Sequence, residues 1–341
     1  MKRKVKKIIF LTVSFLLAFF VLSNVASYIT YSIMFKRVKD IDYNISTRLT
    51  YEDYKDVMPR VEYKYKSKEE TLCGYYYHNN DNAPLIVFSS GYNDVSDSLI
   101  PYHKRFYDLG YNIFSYDGSG CGKSSGTQNG FYQSLIDLES TLRFIDQKEE
   151  LTNLPLMLFG YSAGGFACTA IFNIDDFDVL ASVSISGYND ANQLLIEKGK
   201  DYAGFFSYLG RPTMDAIVSN RFKDYMSYTA VDGINKSNIP FYIFHGRQDE
   251  VIDLKELSIY YKQNVISNRK VVFRAFDDKN HTNILFNSNK DNYREFVDRT
   301  LKEKTTYEEK VEFISTINRE LYNFVNYKIV DEAHMLYQSV I

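Results

Sequence analysis

Three cysteines in 341 residues, Cys73, Cys121 and Cys168, are too few for a disulfide framework and stand at no metal-ligand spacing. A single bridge between Cys73 and Cys121 is compatible with the sequence. Cys168 lies in an apolar run and reads as a small buried hydrophobe. No metal or organic cofactor is implied. Tryptophan is absent, so an aromatic core has to be built from 30 Tyr and 25 Phe. Internal repeats and low-complexity tracts are missing too, so the chain is not a repeat array. Acidic residues are lacking from the first 39 positions, which hold eight Lys or Arg, and the remainder then carries about −11 of a total charge of −3. An acidic body with a short basic end does not suit a nucleic-acid binder. It suits attachment to a membrane.

Residues 8–35 contain no charged side chain, 28 positions against the ~20 that a bilayer-spanning helix requires. Lys2, Arg3, Lys4, Lys6 and Lys7 precede this run; Lys36, Arg37 and Lys39 close it. The denser cluster lies on the N-terminal side, so the positive-inside rule predicts a cytoplasmic N-terminus and a body outside the cytoplasm. The rival is a cleaved signal peptide, whose apolar region spans only ~7–15 residues. This run is longer and has no clear small-x-small site, so residues 1–39 are read as an uncleaved, single-pass anchor in the cell membrane.

Residues 40–60 are polar, acidic and aromatic and read as a linker with a short helix. Residues 61–65 alternate as a half-exposed strand does, and 71–77 follow as a second strand. Leu85-Ile86-Val87-Phe88 is continuously apolar, the mark of a strand covered on both faces. Strands and helices then alternate, with strands at 112–116, 156–159, 179–185, 241–244 and 271–273. An antiparallel start followed by repeated strand–helix units predicts an α/β fold with one mostly parallel sheet and helices on both faces, over 61–187 and 239–300. Residues 188–238 interrupt the alternation and read as a helical cap over the strand ends. Residues 301–341 form a charged, amphipathic helical extension with no assigned role beyond packing.

Gly160-Tyr161-Ser162-Ala163-Gly164 lies between an apolar strand and an apolar, small-residue helix and fits the G-x-S-x-G nucleophile elbow. A serine at the tip of such a turn sits in strained backbone, and glycines two before and two after remove Cβ atoms that would clash. A serine nucleophile needs a base, and the base needs an acid to hold its tautomer. Of the five histidines, His281 stands in a polar loop after the last predicted strand. His78 and His103 precede the elbow, His245 ends a strand and His334 falls in the terminal helix. The acid is expected after the penultimate strand, in His245-Gly246-Arg247-Gln248-Asp249-Glu250-Val251. Asp249 is the choice, with Glu250 and Asp253 as neighbours and a solvated loop as the structural alternative.

The order Ser162, Asp249, His281 and the spelling H-G-x-x-D-x-V resemble the α/β-hydrolase superfamily over about residues 60–299, and among its branches the bacterial serine aminopeptidase-like and monoglyceride-lipase-like hydrolases. The resemblance implies an α/β-hydrolase fold and a Ser162–His281–Asp249 triad. It also implies an oxyanion hole made by the backbone N–H groups of Ala163 and Tyr92, the latter in Ser89-Ser90-Gly91-Tyr92, where the family commonly has His-Gly. Asp117-Gly118-Ser119-Gly120-Cys121-Gly122-Lys123-Ser124 ends like a phosphate loop but has Asp117 where that loop needs its first glycine. It resembles the superfamily's D-x-R-G-x-G-x-S turn and is expected to shape one wall of the site.

The function expected is a membrane-anchored extracytoplasmic serine hydrolase acting on a small-molecule or lipid-like carboxylic ester. An amide-cleaving peptidase, an acyltransferase and a non-catalytic binding protein on the same fold are the alternatives. Phe205, Phe206 and Tyr208 in the cap are the expected substrate contacts, with packing of the cap onto the body as the other reading.

Overall fold

The computed structural model describes residues 2–38, 41–174, 177–204 and 207–341. Its centre is an eight-stranded sheet: β1 (Val61–Ser67), β2 (Glu70–Tyr77), β3 (Leu85–Ser89), β4 (Asn112–Asp117), β5 (Leu156–Tyr161), β6 (Val179–Ile185), β7 (Phe241–Gly246) and β8 (Val271–Phe276). The strand order is β1-β2-β4-β3-β5-β6-β7-β8. β2 runs antiparallel to β1 and β4, and every other pair is parallel.

The continuous apolar runs end up where both faces are covered. Leu85, Val87 and Leu158 point into one core layer, and Ile86, Phe88, Met157 and Phe159 into the other, as the two-residue period of a strand dictates. α3 (Gln133–Asp146), α4 (Ala163–Ala170) and α7 (Ala230–Lys236) cover the first face, and α2 (Ile100–Asp108) and α11 (Tyr327–Gln338) the second. The C-terminal extension thereby acquires a role. Asn326 caps α11, Ile329, Val330 and Ala333 are buried, and the Tyr337 hydroxyl donates to the Leu158 carbonyl (2.7 Å) behind the elbow strand. α8 (Asp291–Glu303), α9 (Tyr307–Thr316) and α10 (Arg319–Tyr322) connect β8 to it.

Residues 41–60, read as a linker, lie against the body: Leu49 and Met58 are buried in the second core layer, and the Arg60 guanidinium stacks on Tyr51 and Tyr75. Between β6 and β7 stand α5 (Ala191–Ala203), α6 (Ser207–Phe222) and α7. α5 starts where the Asp190 carboxylate accepts from the N–H groups of Asn192 and Gln193.

The N-terminal helix α1 (Lys2–Met34) is long and apolar enough to cross a membrane. In its first part, residues 3–22 are all exposed. Its last three turns behave differently. Asn24 Nδ2 donates to the Leu209 carbonyl (3.2 Å), Thr213 Oγ1 donates to Asn24 Oδ1 (2.7 Å), and Tyr31 is buried. Phe35, just past the helix, packs edge-on against Phe131. Gly210 permits the crossing with α6, because a Cβ there would fall 1.6 Å from Ser27 Oγ.

Candidate active site

β5 delivers Ser162 at its C-terminal end, and α4 begins at the next residue. Ser162 has φ 55° and ψ −114°, a left-sided conformation that side chains rarely adopt. Two hydrogen bonds hold it there: Ser162 N–H donates to the Ile185 carbonyl (2.8 Å), and the Ser162 carbonyl accepts from Phe166 N–H (3.0 Å). The flanking glycines are required by contact. A Cβ on Gly160 would lie 2.2 Å from the Gly164 carbonyl oxygen, and one on Gly164 would lie 1.9 Å from the Ser89 carbonyl oxygen. Both obstacles are backbone. Gly164→Ala is therefore expected to force β3 and α4 apart and destabilise the protein by ~1–3 kcal/mol or more, read as a lowered thermal midpoint together with reduced ester turnover.

The loop after β8 carries His281, and the loop after β7 carries Asp249. Both side chains are buried, and the parallel sheet brings both loops to the strand ends beside Ser162. His281 Nδ1 and Asp249 Oδ2 are 2.8 Å apart, and His281 Nε2 and Ser162 Oγ 3.0 Å apart. An ionised carboxylate only accepts, so Nδ1–H donates to Asp249 and Nε2 is left to accept from the serine hydroxyl. Burial pushes the Asp249 carboxyl up, but the hydrogen bond from His281, with help from the Ile252 N–H, outweighs it and holds the group below the ordinary carboxylate value. Asp249 Oδ1 is fixed separately, accepting from the N–H groups of Val251 (3.0 Å) and Ile252 (2.8 Å).

The neighbouring candidates are occupied elsewhere. Glu250 is exposed, and Asp253 Oδ1 accepts from Lys255 and Glu256 N–H in its own turn. His78 pairs with Asp81, His103 is buried away from the cavity, and His334 bonds Tyr111.

Two supporting residues were not singled out by the sequence. His245 Nε2–H donates to the Ile252 carbonyl (3.0 Å) and lies 3.4 Å from Asp249 Oδ2; burial lowers its pKa, against the pull of Asp249. It braces the loop that presents the acid, and its signal is the first letter of H-G-x-x-D. The Tyr161 ring lies tilted beside the His281 ring, centroids 5.3 Å apart, and its hydroxyl donates to the His281 carbonyl (3.1 Å), so the variable position before the serine steadies the base.

Ser162 and His281 open into a cavity of about 970 Å³ that Ala163, Gly91 and Tyr92 also line. A Cβ on Gly91 would meet the Ser162 Cβ at 3.3 Å, so the β3 loop passes directly beside the serine. Ala163 N–H opens α4, whose dipole favours negative charge at that end.

The cap aromatics fall differently. Phe205 and Phe206 lie outside the described residues. Tyr208 is half exposed and does not line the Ser162 cavity; it borders a groove between α1 and α6, because α6 turns that face toward the N-terminal helix. The turn from Asp117 to Ser124 does not line the cavity either. Lys123 pairs with Glu62, and the carbonyls of Gly120, Gly122 and Ser124 accept from Val38 N–H and the Arg37 guanidinium. It grips the chain leaving α1. All three cysteines are free and buried, and among the described residues no three His, Cys, Asp or Glu side chains gather as metal ligands.

Residues 80–187 match the family described as Serine aminopeptidase, S33. No curated protein matches the chain. An esterase of Pyrococcus furiosus superposes with a TM-score of 0.56 at 17% identity, over 80% of this chain and 99% of its own. Est1E from Butyrivibrio proteoclasticus, solved with ferulic acid, superposes at 0.48 with 14% identity, over 64% and 90%. A membrane phospholipase A described as a bacterial virulence factor gives 0.48 and 14%, over 88% and 99%. The likeness to the Pyrococcus esterase is one of fold, and the segment that matches the family runs from before β3 through the elbow to the end of β6, so this chain has an α/β-hydrolase fold.

Proposed function

We propose that the chain is a membrane-anchored serine esterase, with Ser162 as nucleophile, His281 as base and Asp249 as the acid that orients it. The observation that carries this reading is the unbroken hydrogen-bonded series from Ser162 through His281 to Asp249, set on a strained elbow at the floor of a cavity. Ser162 Oγ attacks the ester carbonyl while His281 Nε2 takes its proton, and the N–H groups of Ala163 and Tyr92 receive the oxyanion. His281 returns the proton to the leaving alcohol. Water then attacks the acyl-serine, with His281 again as base.

The anchor is supported by α1 itself. Its first half is apolar and exposed, the basic cluster at its start favours a cytoplasmic N-terminus, and its last turns are bonded to α6, which argues for retention of the segment. Esters are preferred over amides because an alkoxide leaves more readily than an amine anion. The purified full chain is expected to hydrolyse p-nitrophenyl butyrate with kcat/KM at least tenfold above that for aminoacyl p-nitroanilides. An enzyme that cleaves the anilides well and ignores neutral esters would overturn the esterase assignment. Protease added to intact cells should digest the body while the N-terminus stays protected.

A further inference from the structure

The depth of the anchor in a bilayer can be compared with where it meets the body. The charge-free part of α1 that is exposed throughout, residues 8–22, spans only ~22 Å at ~1.5 Å per residue. The hydrocarbon layer is ~30 Å thick and takes ~20 helical residues. Counted from Ile8, the layer therefore extends to about Ser27, which is already packed on α6. The first turns of the α1–α6 contact lie within the apolar layer.

An apolar groove of about 570 Å³ opens there. α1 contributes Phe19, Ala26 and Met34 to it, α5 contributes Leu195 and Gly199, and α6 contributes Met214. Phe19 lies inside the hydrocarbon depth just derived, so one end of the groove faces lipid. The other end borders the site: Met34 also lines the Ser162 cavity, and on α5 Leu194 lines that cavity while Leu195 lines the groove. Met34 is tied to the catalytic loop as well, since its carbonyl accepts from the Tyr92 hydroxyl. The anchor is thus one wall of both spaces.

Building on the esterase reading, the geometry points to a substrate class: a long-chain acyl ester resident in the bilayer, whose chain lies in the groove along α1 while its ester carbonyl reaches Ser162. The occupant is an acyl chain from the bilayer, because the groove is apolar, opens at hydrocarbon depth and is continuous with the lipid-facing surface of α1.

The full chain in phosphatidylcholine liposomes, given dipalmitoylglycerol or dipalmitoyl phosphatidylglycerol, tests this. Lipid placed in the enzyme's own vesicles is expected to be hydrolysed at least tenfold faster than the same lipid in separate vesicles. Gly199→Trp fills the groove from a helical position where, among the described residues, an added Cβ meets only Ser207 Cβ at 3.8 Å. Ala26→Trp fills it from the opposite wall. Each is expected to lower the ratio of dipalmitoyl lipid turnover to p-nitrophenyl acetate turnover at least tenfold. Equal rates from both vesicle populations, an unchanged ratio in both variants, or hydrolysis of neither lipid while Ser162-dependent p-nitrophenyl acetate turnover persists would overturn the lipid inference alone. Absence of any Ser162-dependent turnover of p-nitrophenyl acetate would overturn the esterase reading and this inference with it.

Discussion

Ser162→Ala is expected to lower ester turnover by about 10⁴- to 10⁶-fold and to abolish labelling by a fluorophosphonate probe. The expectation follows from what the substitution removes and what it keeps. Only Oγ is lost, the atom 3.0 Å from His281 Nε2. The Cβ remains, and with it the positive-φ strain at this position, so the backbone bonds to Ile185 and Phe166 are retained. His281 keeps its bond to Asp249. Thermal unfolding should therefore stay close to that of the parent, which separates lost chemistry from lost structure. Residual turnover would come from the oxyanion donors and from binding. A variant that still labels with the probe at the parent's rate would mean that another nucleophile does the work and that the elbow has been misassigned.

Much of the fold was legible because its signals are local. The runs at 85–88 and 156–159 are apolar without alternation, and the structure pairs them in parallel with both faces covered. The order of serine, acid and histidine pointed to three residues that the sheet brings into hydrogen-bond contact, because loops at the same end of parallel strands converge. What was not legible depends on which side of a helix meets what. Tyr31 lies in the same uncharged run as Leu22, yet the first is buried in the body and the second is exposed. Composition assigns the whole run to the membrane and cannot divide it. The same holds for Tyr208, whose position in an aromatic insert says nothing about whether α6 presents it to the serine or to α1. The turn at 117–124 was read by its spelling as a wall of the site, but its carbonyls hold Arg37 and Val38, partners more than 80 residues away that no local pattern announces. α11 is the reverse case: an amphipathic tail whose partner, the second face of the sheet, was needed to give it a role.

Asp249→Asn is expected to cost about 10⁴-fold in kcat while leaving the protein folded, and here the reason lies in which way the new amide must point. Asp249 Oδ1 accepts from the N–H groups of both Val251 and Ile252. An amide NH₂ in that position would face two donors, so the asparagine places its carbonyl oxygen there and its NH₂ where Oδ2 was. That group faces His281 Nδ1 across the 2.8 Å now spanned by the Nδ1–H bond. Being a donor, it requires Nδ1 to accept, which moves the imidazole proton to Nε2. Nε2 then points a proton at Ser162 Oγ instead of a lone pair, and the serine has no base. The geometry survives with the wrong tautomer. Fluorophosphonate labelling should be slowed rather than abolished, since Oγ is still present, in contrast to Ser162→Ala. Glu250→Gln, at an exposed side chain, and Asp253→Asn, whose oxygen serves its own turn, should leave turnover within a few-fold of the parent. A near-normal Asp249→Asn enzyme, or a larger loss in either neighbour, would remove Asp249 from the proposed triad.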